Sequence, residues 1–313
     1  MNLTILKTQL QNNKIPLFDL HCDTFLELYK RKSNIQENNL HISLNKAKCF
    51  APYIQIAAIW SEHSLPNELL YERYLNVREY IRGLGINTAT KFSDVKQNSF
   101  ILAIEDARIL NGKLSRLCDL YQDGVRFITL NWKDVSIIGG GWNTSYGLTE
   151  FGRAVVNKCL DLGITVDISH SSEKTSYEAV EICSAKNTPL IASHSNSYKI
   201  CSHKRNLSDE LFNELVKLHS LVGISLANEH LVCSGFSKIS TIVEHIYHFL
   251  SLGGENIIAL GCDFDGVSSL PTGISNISDL PLLFNEIEKN FGEKIAKKVF
   301  FDNAYHFMSK NMS

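Results

Sequence analysis

The chain has 313 residues, 44% of them hydrophobic and 20% charged, with a net charge of −2. That balance supports a substantial core and excludes a disordered or fibrous chain. With no run of Lys or Arg it also argues against a nucleic-acid or polybasic-membrane partner.

No stretch reaches the ~18 consecutive apolar residues of a membrane span, and residues 1–7 lack the basic and apolar regions of a secretion leader. The eight cysteines are scattered and none forms a CxxC pair. A cytoplasmic protein with reduced thiols, without a disulfide framework, is therefore expected.

Along the chain, short apolar β-branched runs recur at 16–21, 53–60, 100–105, 125–132, 164–170, 189–194, 221–226 and 257–263. Near-continuous apolar strands of this kind suit a parallel sheet buried on both faces. Helical spacing lies between them. Residues 151–162 place Val155, Val156, Cys159 and Leu160 on one side and stop at Gly163, while 208–218 carry Leu211, Leu215 and Leu218. Eight strands alternating with helices predict an α/β protein of the (β/α)8 TIM-barrel type, one domain over 1–313. An open doubly wound sheet is the alternative, but no GxGxxG or Walker A loop follows the first run. The polar stretch 134–146, with Gly139-Gly140-Gly141, reads as a long βα loop, either lining a pocket or lying on the surface.

Polar residues gather at the ends of these runs: His21 and Asp23, Glu105 and Asp106, Asp167 and His170, His194, and Asp263 and Asp265. A lone histidine there is more often a hydrogen-bonded structural residue, and a lone acid an N-cap. In a barrel, however, all these ends converge on one mouth. Burying so many such groups without a metal or ion pairs would cost several kcal/mol apiece. Imidazole and carboxylate suit zinc and related divalent ions. His21-x-Asp23 at period two directs both side chains to the lumen. A carboxylate such as Glu105 can bridge two cations, and Asp263 can act as general base and acid. His230, His245 and His248 lie beyond the seventh run; His245 and His248 read as helix-surface residues.

The pieces Asp19-Leu20-His21-Cys22-Asp23-Thr24, Gly147-Leu148-Thr149-Glu150-Phe151-Gly152, Asp167-Ile168-Ser169-His170, Ser193-His194-Ser195, Arg205-Asn206 and Gly261-Cys262-Asp263-Phe264-Asp265-Gly266 together resemble the membrane (renal) dipeptidase family of zinc dipeptidases, and its bacterial branch in particular. The resemblance implies that His21 and Asp23 hold a first zinc, that Glu105 bridges, and that His170 and His194 hold a second. Manganese or cobalt would also suit these ligands. It implies that Arg205, with Asn206 beside it, binds the dipeptide's free carboxylate. With Lys204 and Asp209 nearby, an ordinary solvated charge is the alternative reading of Arg205, and its place soon after the sixth run favours the binding role. It further implies that Asp263, a member of the metal site, moves the proton of the attacking water to the leaving amine. Cleavage of dipeptides by a metal-bridged hydroxide, with tolerance of a C-terminal D-residue, is the activity implied. Members are often homodimers, though no interface is legible here.

One position departs from the family pattern. Where studied members carry a histidine that contacts the substrate carbonyl, this chain has Trp132, a hydrogen-bond donor that takes up no proton. The same centre acting on another small amide (a β-lactam, an acyl-amino acid or a biosynthetic intermediate) is therefore the alternative. A non-catalytic barrel is a third reading, weakened by the presence of every implied ligand.

Overall fold

A computed structural model describes residues 14–312; residues 1–7, read above for a leader, lie outside them. The strands β1 (Ile15–Asp19), β2 (Phe50–Trp60), β3 (Asn87–Thr88), β4 (Ser99–Glu105), β5 (Val125–Thr129), β6 (Thr165–Asp167), β7 (Ile191–Ala192), β8 (Leu221–Ile224) and β9 (Ile258–Leu260) form one parallel sheet. Its order is β2-β1-β9-β8-β7-β6-β5-β4-β3. A further pairing, from Ile54 beside Ser99 to Trp60 beside Glu105, joins β2 to β4 and closes the ring. Eight strands thus make the expected (β/α)8 barrel. The unexpected β3 is two polar residues paired only with β4, and no apolar run marks it.

Alternation along the strands divides the core in two. Phe18, Ile54, Ile56, Ala58, Ile101, Ala103, Phe127, Ile191, Leu221 and Ala259 pack in one cluster, which fills the barrel interior. Their neighbours Leu17, Tyr53, Ala57, Ile59, Leu102, Ile104 and Ile128 belong to the second, between strands and helices. Each fully buried large side chain contributes about 1.5–3 kcal/mol. The helix Asn303–Asn311 adds Ala304, Phe307 and Met308 to the interior cluster and so plugs one end of the barrel, leaving the other for chemistry.

The helices begin and end where short-range chemistry dictates. Thr149 accepts a bond from the Gly152 amide at 2.9 Å, starting the helix Glu150–Leu162, and Gly163 ends it with φ 76°. Gly152 has a packing reason to be glycine, because a Cβ there would lie 1.9 Å from the Ile138 carbonyl oxygen. Ser208 caps the helix Asp209–Lys217 in the same way.

Three expectations need correction. The strands stop short of the predicted runs: 125–132 ends at Thr129, 164–170 at Asp167 and 189–194 at Ala192. The polar residues that follow turn out of the sheet, with φ 68° at His170 and 61° at Asp263. His21 does not continue the alternation of β1 either. Leu20 is in the interior cluster and Cys22 in the outer one, so the chain switches faces at a bend there. Finally, His245 is buried rather than on a helix surface. It accepts from the Ser197 amide through Nδ1 (3.1 Å) and reaches the Leu231 carbonyl through Nε2 (3.0 Å). Helical spacing alone did not show that a second layer of loops covers this side. His248 is partly covered and bonds Asp209 at 2.7 Å.

Candidate metal centre

The alternation that fills the barrel also aims one of the acids: Ile101 and Ala103 face the interior, so Glu105 does too. Asp263 lies beyond β9 in a left-handed turn (φ 61°). Pairing continues past the formal strand ends. The Asp23 amide donates to the Phe264 carbonyl at 3.0 Å and the Asp263 amide to the His21 carbonyl at 3.1 Å. This holds His21, Asp23 and Asp263 at one level of the mouth.

There the predicted residues meet. His21 Nε2 lies 3.6 Å from Asp23 Oδ2, 3.7 Å from Glu105 Oε2 and 3.8 Å from Asp263 Oδ1. The other oxygen of the same carboxylate, Glu105 Oε1, lies 2.9 Å from His170 Nε2 and 3.9 Å from His194 Nε2. Ligand atoms of His21, Glu105 and His194 fall within 4.8 Å of one another, as do those of His21, Asp23 and Asp263. Gly266 underlies this packing: a Cβ there would stand 2.1 Å from Asp23 Oδ2 and 2.5 Å from Asp263 Oδ1.

Two residues behind the site were quoted in the sequence without a role. Asp167 Oδ2 accepts from Thr129 Oγ1 (2.7 Å) and Ser193 Oγ (2.6 Å). Ser193 Oγ, its proton given to Asp167, takes the bond from His194 Nδ1 at 2.7 Å. His194 is thereby fixed as the tautomer protonated at Nδ1, with the Nε2 lone pair turned to Glu105 and His170. Their signal was available, since Asp167 and Ser193 follow the same alternation that turns Ile191 inward.

The electrostatics follow from packing acids and imidazoles out of water. Burial, then the neighbouring Asp23, hold the Glu105 carboxyl well above its ordinary range. Burial also lifts Asp263 to about 7 and drives His170 and His194 well below theirs. Burial works against protonation of His21 as well, but the adjoining Asp23 carboxylate, 3.6 Å away, and the charges of Glu105 and Asp263 overcome this and raise it to about 10. At the centre, His21 Nε2 and Asp23 Oδ1 are buried and have no hydrogen-bond partner. Unpartnered imidazole nitrogen and carboxylate oxygen, buried and convergent, form a donor set that fits divalent cations, whose charge would offset the crowding of acids.

Around the centre, Arg205 is buried rather than solvated, only 4% exposed. One guanidinium nitrogen donates to the His194 carbonyl at 3.2 Å, and Nε has no partner. Burial lowers it to about 10, against the pull of Asp263 and Glu105, so it remains a cation. Asn206 serves the backbone first: its Nδ2 donates to the carbonyls of Cys201 and His230, each at 2.8 Å, leaving Oδ1 for a ligand. Trp132 stacks towards His170 (6.0 Å between ring centres) and contacts Trp60 and His63 at 5.0 and 4.4 Å. His63, in a polar loop without any sequence signal, completes an aromatic wall beside the mouth. A cavity of about 1110 Å3 is lined by Trp142, Tyr146, His170, Tyr198, Arg205 and Asn206. Residues 142–146, the end of the loop 134–146, therefore line the pocket.

Fold and site define a (β/α)8 barrel with a histidine–carboxylate centre at its mouth. The chain belongs to the membrane dipeptidase family (peptidase family M19), whose profile matches residues 7–312. Mouse dipeptidase 3 is 28% identical over 210 residues, covering 64% of this chain and 42% of the mouse protein. The chain thus matches less than half the length of that curated relative. Among solved structures, the metallopeptidase dipeptidase AC of family M19 superposes with TM-score 0.88 at 24% identity, covering 96% of this chain and 99% of its own. A metallopeptidase from Rhodobacter sphaeroides, liganded with a phosphinate mimic of L-Ala-D-Ala, does so with TM-score 0.86 at 23% identity, covering 96% and 100%. Among the described residues no helix is long and apolar enough to cross a membrane.

Proposed function

We propose that the chain is a dipeptidase holding two divalent cations, zinc by preference, on His21, Asp23, Glu105, His170, His194 and Asp263. The observation that carries this reading is the span of Glu105, with Oε1 2.9 Å from His170 Nε2 and Oε2 3.7 Å from His21 Nε2. One carboxylate faces two groups of donors, as a bridge requires. Bound cations would activate a water near neutral pH and polarise the scissile carbonyl.

The chain's own groups do the rest. Arg205 pairs with the dipeptide's terminal carboxylate, its fork pre-positioned by the His194 carbonyl. This fixes the scissile bond between Arg205 and Glu105. Asp263, whose Oδ1 lies 3.8 Å from His21 Nε2 at the mouth, would take the proton of the attacking water and return it to the leaving amine nitrogen. The Trp132 indole packs beside the acyl half of the substrate and excludes water from it. Tolerance of a C-terminal D-residue draws support from the L-Ala-D-Ala mimic held by the Rhodobacter sphaeroides metallopeptidase.

Replacing Glu105 tests the reading directly. Purified chain should bind about two zinc equivalents and cleave a dipeptide from a mixed L,L and L,D library, while Glu105→Gln should lose both properties. Full activity and metal content in that variant would contradict the bridge. The second reading, another small amide as substrate, is favoured by Trp132 and by the roomy cavity. Retained metal without turnover of any dipeptide would select it.

A further inference from the structure

The cavity beside the centre is far larger than a small dipeptide fills. It meets the mouth at His170 and Arg205 and runs outward over the first turns of the helices Glu173–Ala185 and Asp209–Lys217. Its volume of about 1110 Å3 is that of a cleft for a drug-sized ligand, such clefts running from about 300 to about 1,000 Å3. Four rings, those of Trp142, Tyr146, Tyr177 and Tyr198, stand around it, and Ile168 and Leu211 add apolar surface. Tyr146 is 65% and Tyr198 45% exposed, so large rings bordering a concavity are left to water, the mark of a ligand groove. Their backbones are pinned. The Trp142 amide donates to the His170 carbonyl at 2.8 Å and the Tyr198 amide to the Leu207 carbonyl at 2.9 Å, while the Tyr146 carbonyl accepts from Ser172 Oγ at 2.5 Å. Two buried oxygens of the lining, Ser171 Oγ and Asn206 Oδ1, have no hydrogen-bond partner, an unmet need that a bound molecule satisfies. Charge does not select here, because Lys174 and Lys204 share the exposed rim with Glu173 and Glu210.

We infer that this cavity is a specificity pocket for a large aromatic side chain on the C-terminal residue of the substrate, tryptophan or tyrosine rather than alanine. The inference rests on the proposed dipeptidase reading, in which Arg205 holds the terminal carboxylate. With that carboxylate on Arg205 and the scissile bond towards Glu105, the side chain on the same Cα leaves towards the nearest open space, which Arg205 itself borders. The acyl half faces the separate wall of Trp60, His63 and Trp132, none of which lines the cavity. An indole or phenol entering the cavity covers the rings of Tyr146 and Tyr198. Its N–H or O–H can serve Asn206 Oδ1 or Ser171 Oγ, which a methyl group cannot. Because the backbones that carry the rings are anchored beforehand, little ordering opposes the gain.

The test has a catalytic arm and a binding arm, both on the full chain. Rates are measured on L-Ala-Xaa dipeptides with Xaa alanine, tyrosine or tryptophan, each in both configurations at Xaa. In the configuration cleaved faster, kcat/KM should be at least about tenfold higher for the aromatic residues than for alanine. Tyr198→Ala should cut that ratio at least about threefold, and Tyr198→Phe should preserve it. In the binding arm, calorimetry with the free amino acids should show tryptophan held at least about tenfold more tightly than alanine. A ratio near one in either arm would overturn the pocket, as would an unchanged ratio in Tyr198→Ala. If that variant keeps the ratio and changes its mass in solution, the exposed ring belongs to a subunit interface instead. A chain that binds tryptophan selectively but cleaves no dipeptide would count against the proposed function and leave the pocket standing.

Discussion

At the level of single residues, the site separates what touches the reacting groups from what aims them. Ser193 aims. With its proton given to Asp167 at 2.6 Å, it fixes the tautomer of His194 at 2.7 Å. Ser193→Ala should weaken metal binding by about 10–100-fold while leaving the fold intact. Titration with a competing chelator measures this, and unchanged affinity would remove the relay. Arg205 binds. Arg205→Met should lower kcat/KM by roughly 30-fold or more, mainly through KM, since a buried charge pair loses about 2–5 kcal/mol when one partner is removed. A dipeptide whose C-terminus is an amide should be cleaved equally poorly by both forms; a carboxamide substrate that is still sensitive to the change would place Arg205 elsewhere. Glu105 was legible in sequence because it continues the inward alternation of β4. His21, His170, His194 and Asp263 were legible only as residue types at run ends. A bend at Leu20 and left-handed residues at His170 and Asp263 set directions that no periodicity encodes.

Among elements, the helices and loops above the mouth matter as much as the strands. The helix Ile239–Ser251 looks amphipathic in sequence, yet His245 on it works inward as a strut. Because the Leu231 carbonyl can only accept and the Ser197 amide can only donate, both ring nitrogens are satisfied in the neutral form alone. Burial lowers its pKa from 6.5 to about 4, only partly offset by the Leu231 bond. The sign follows: the unfolded chain takes up the proton first, so this contribution is complete above pH about 6.5 and is lost as pH falls towards about 4. Between pH 7 and pH 5 it amounts to about 2 kcal/mol. Denaturant unfolding of wild type and His245→Gln at both pH values checks this. The variant should lack that part of the acid loss, and identical pH dependence would contradict the strut. The same lesson applies to β3 and to the run ends. Strand lengths were overestimated because apolar sequence continues into segments whose backbone has already turned towards the mouth.

Across the molecule, closure of the sheet through β2 and β4 is what makes distant residues neighbours. The apolar runs contained the strand count and parallel class. Closure itself was an inference from that count, and the pairing of Trp60 with Glu105 bears it out. The interior cluster and the C-terminal helix fill one end of the barrel, so polar groups can converge only at the other. The most direct test of that convergence is anomalous diffraction at the zinc absorption edge from crystals of the zinc-loaded chain. The proposed function predicts two peaks roughly 3.5–4 Å apart, one on each oxygen of Glu105, with His21 and Asp23 at the first and His170 and His194 at the second. A single peak, or peaks away from Glu105, would contradict it.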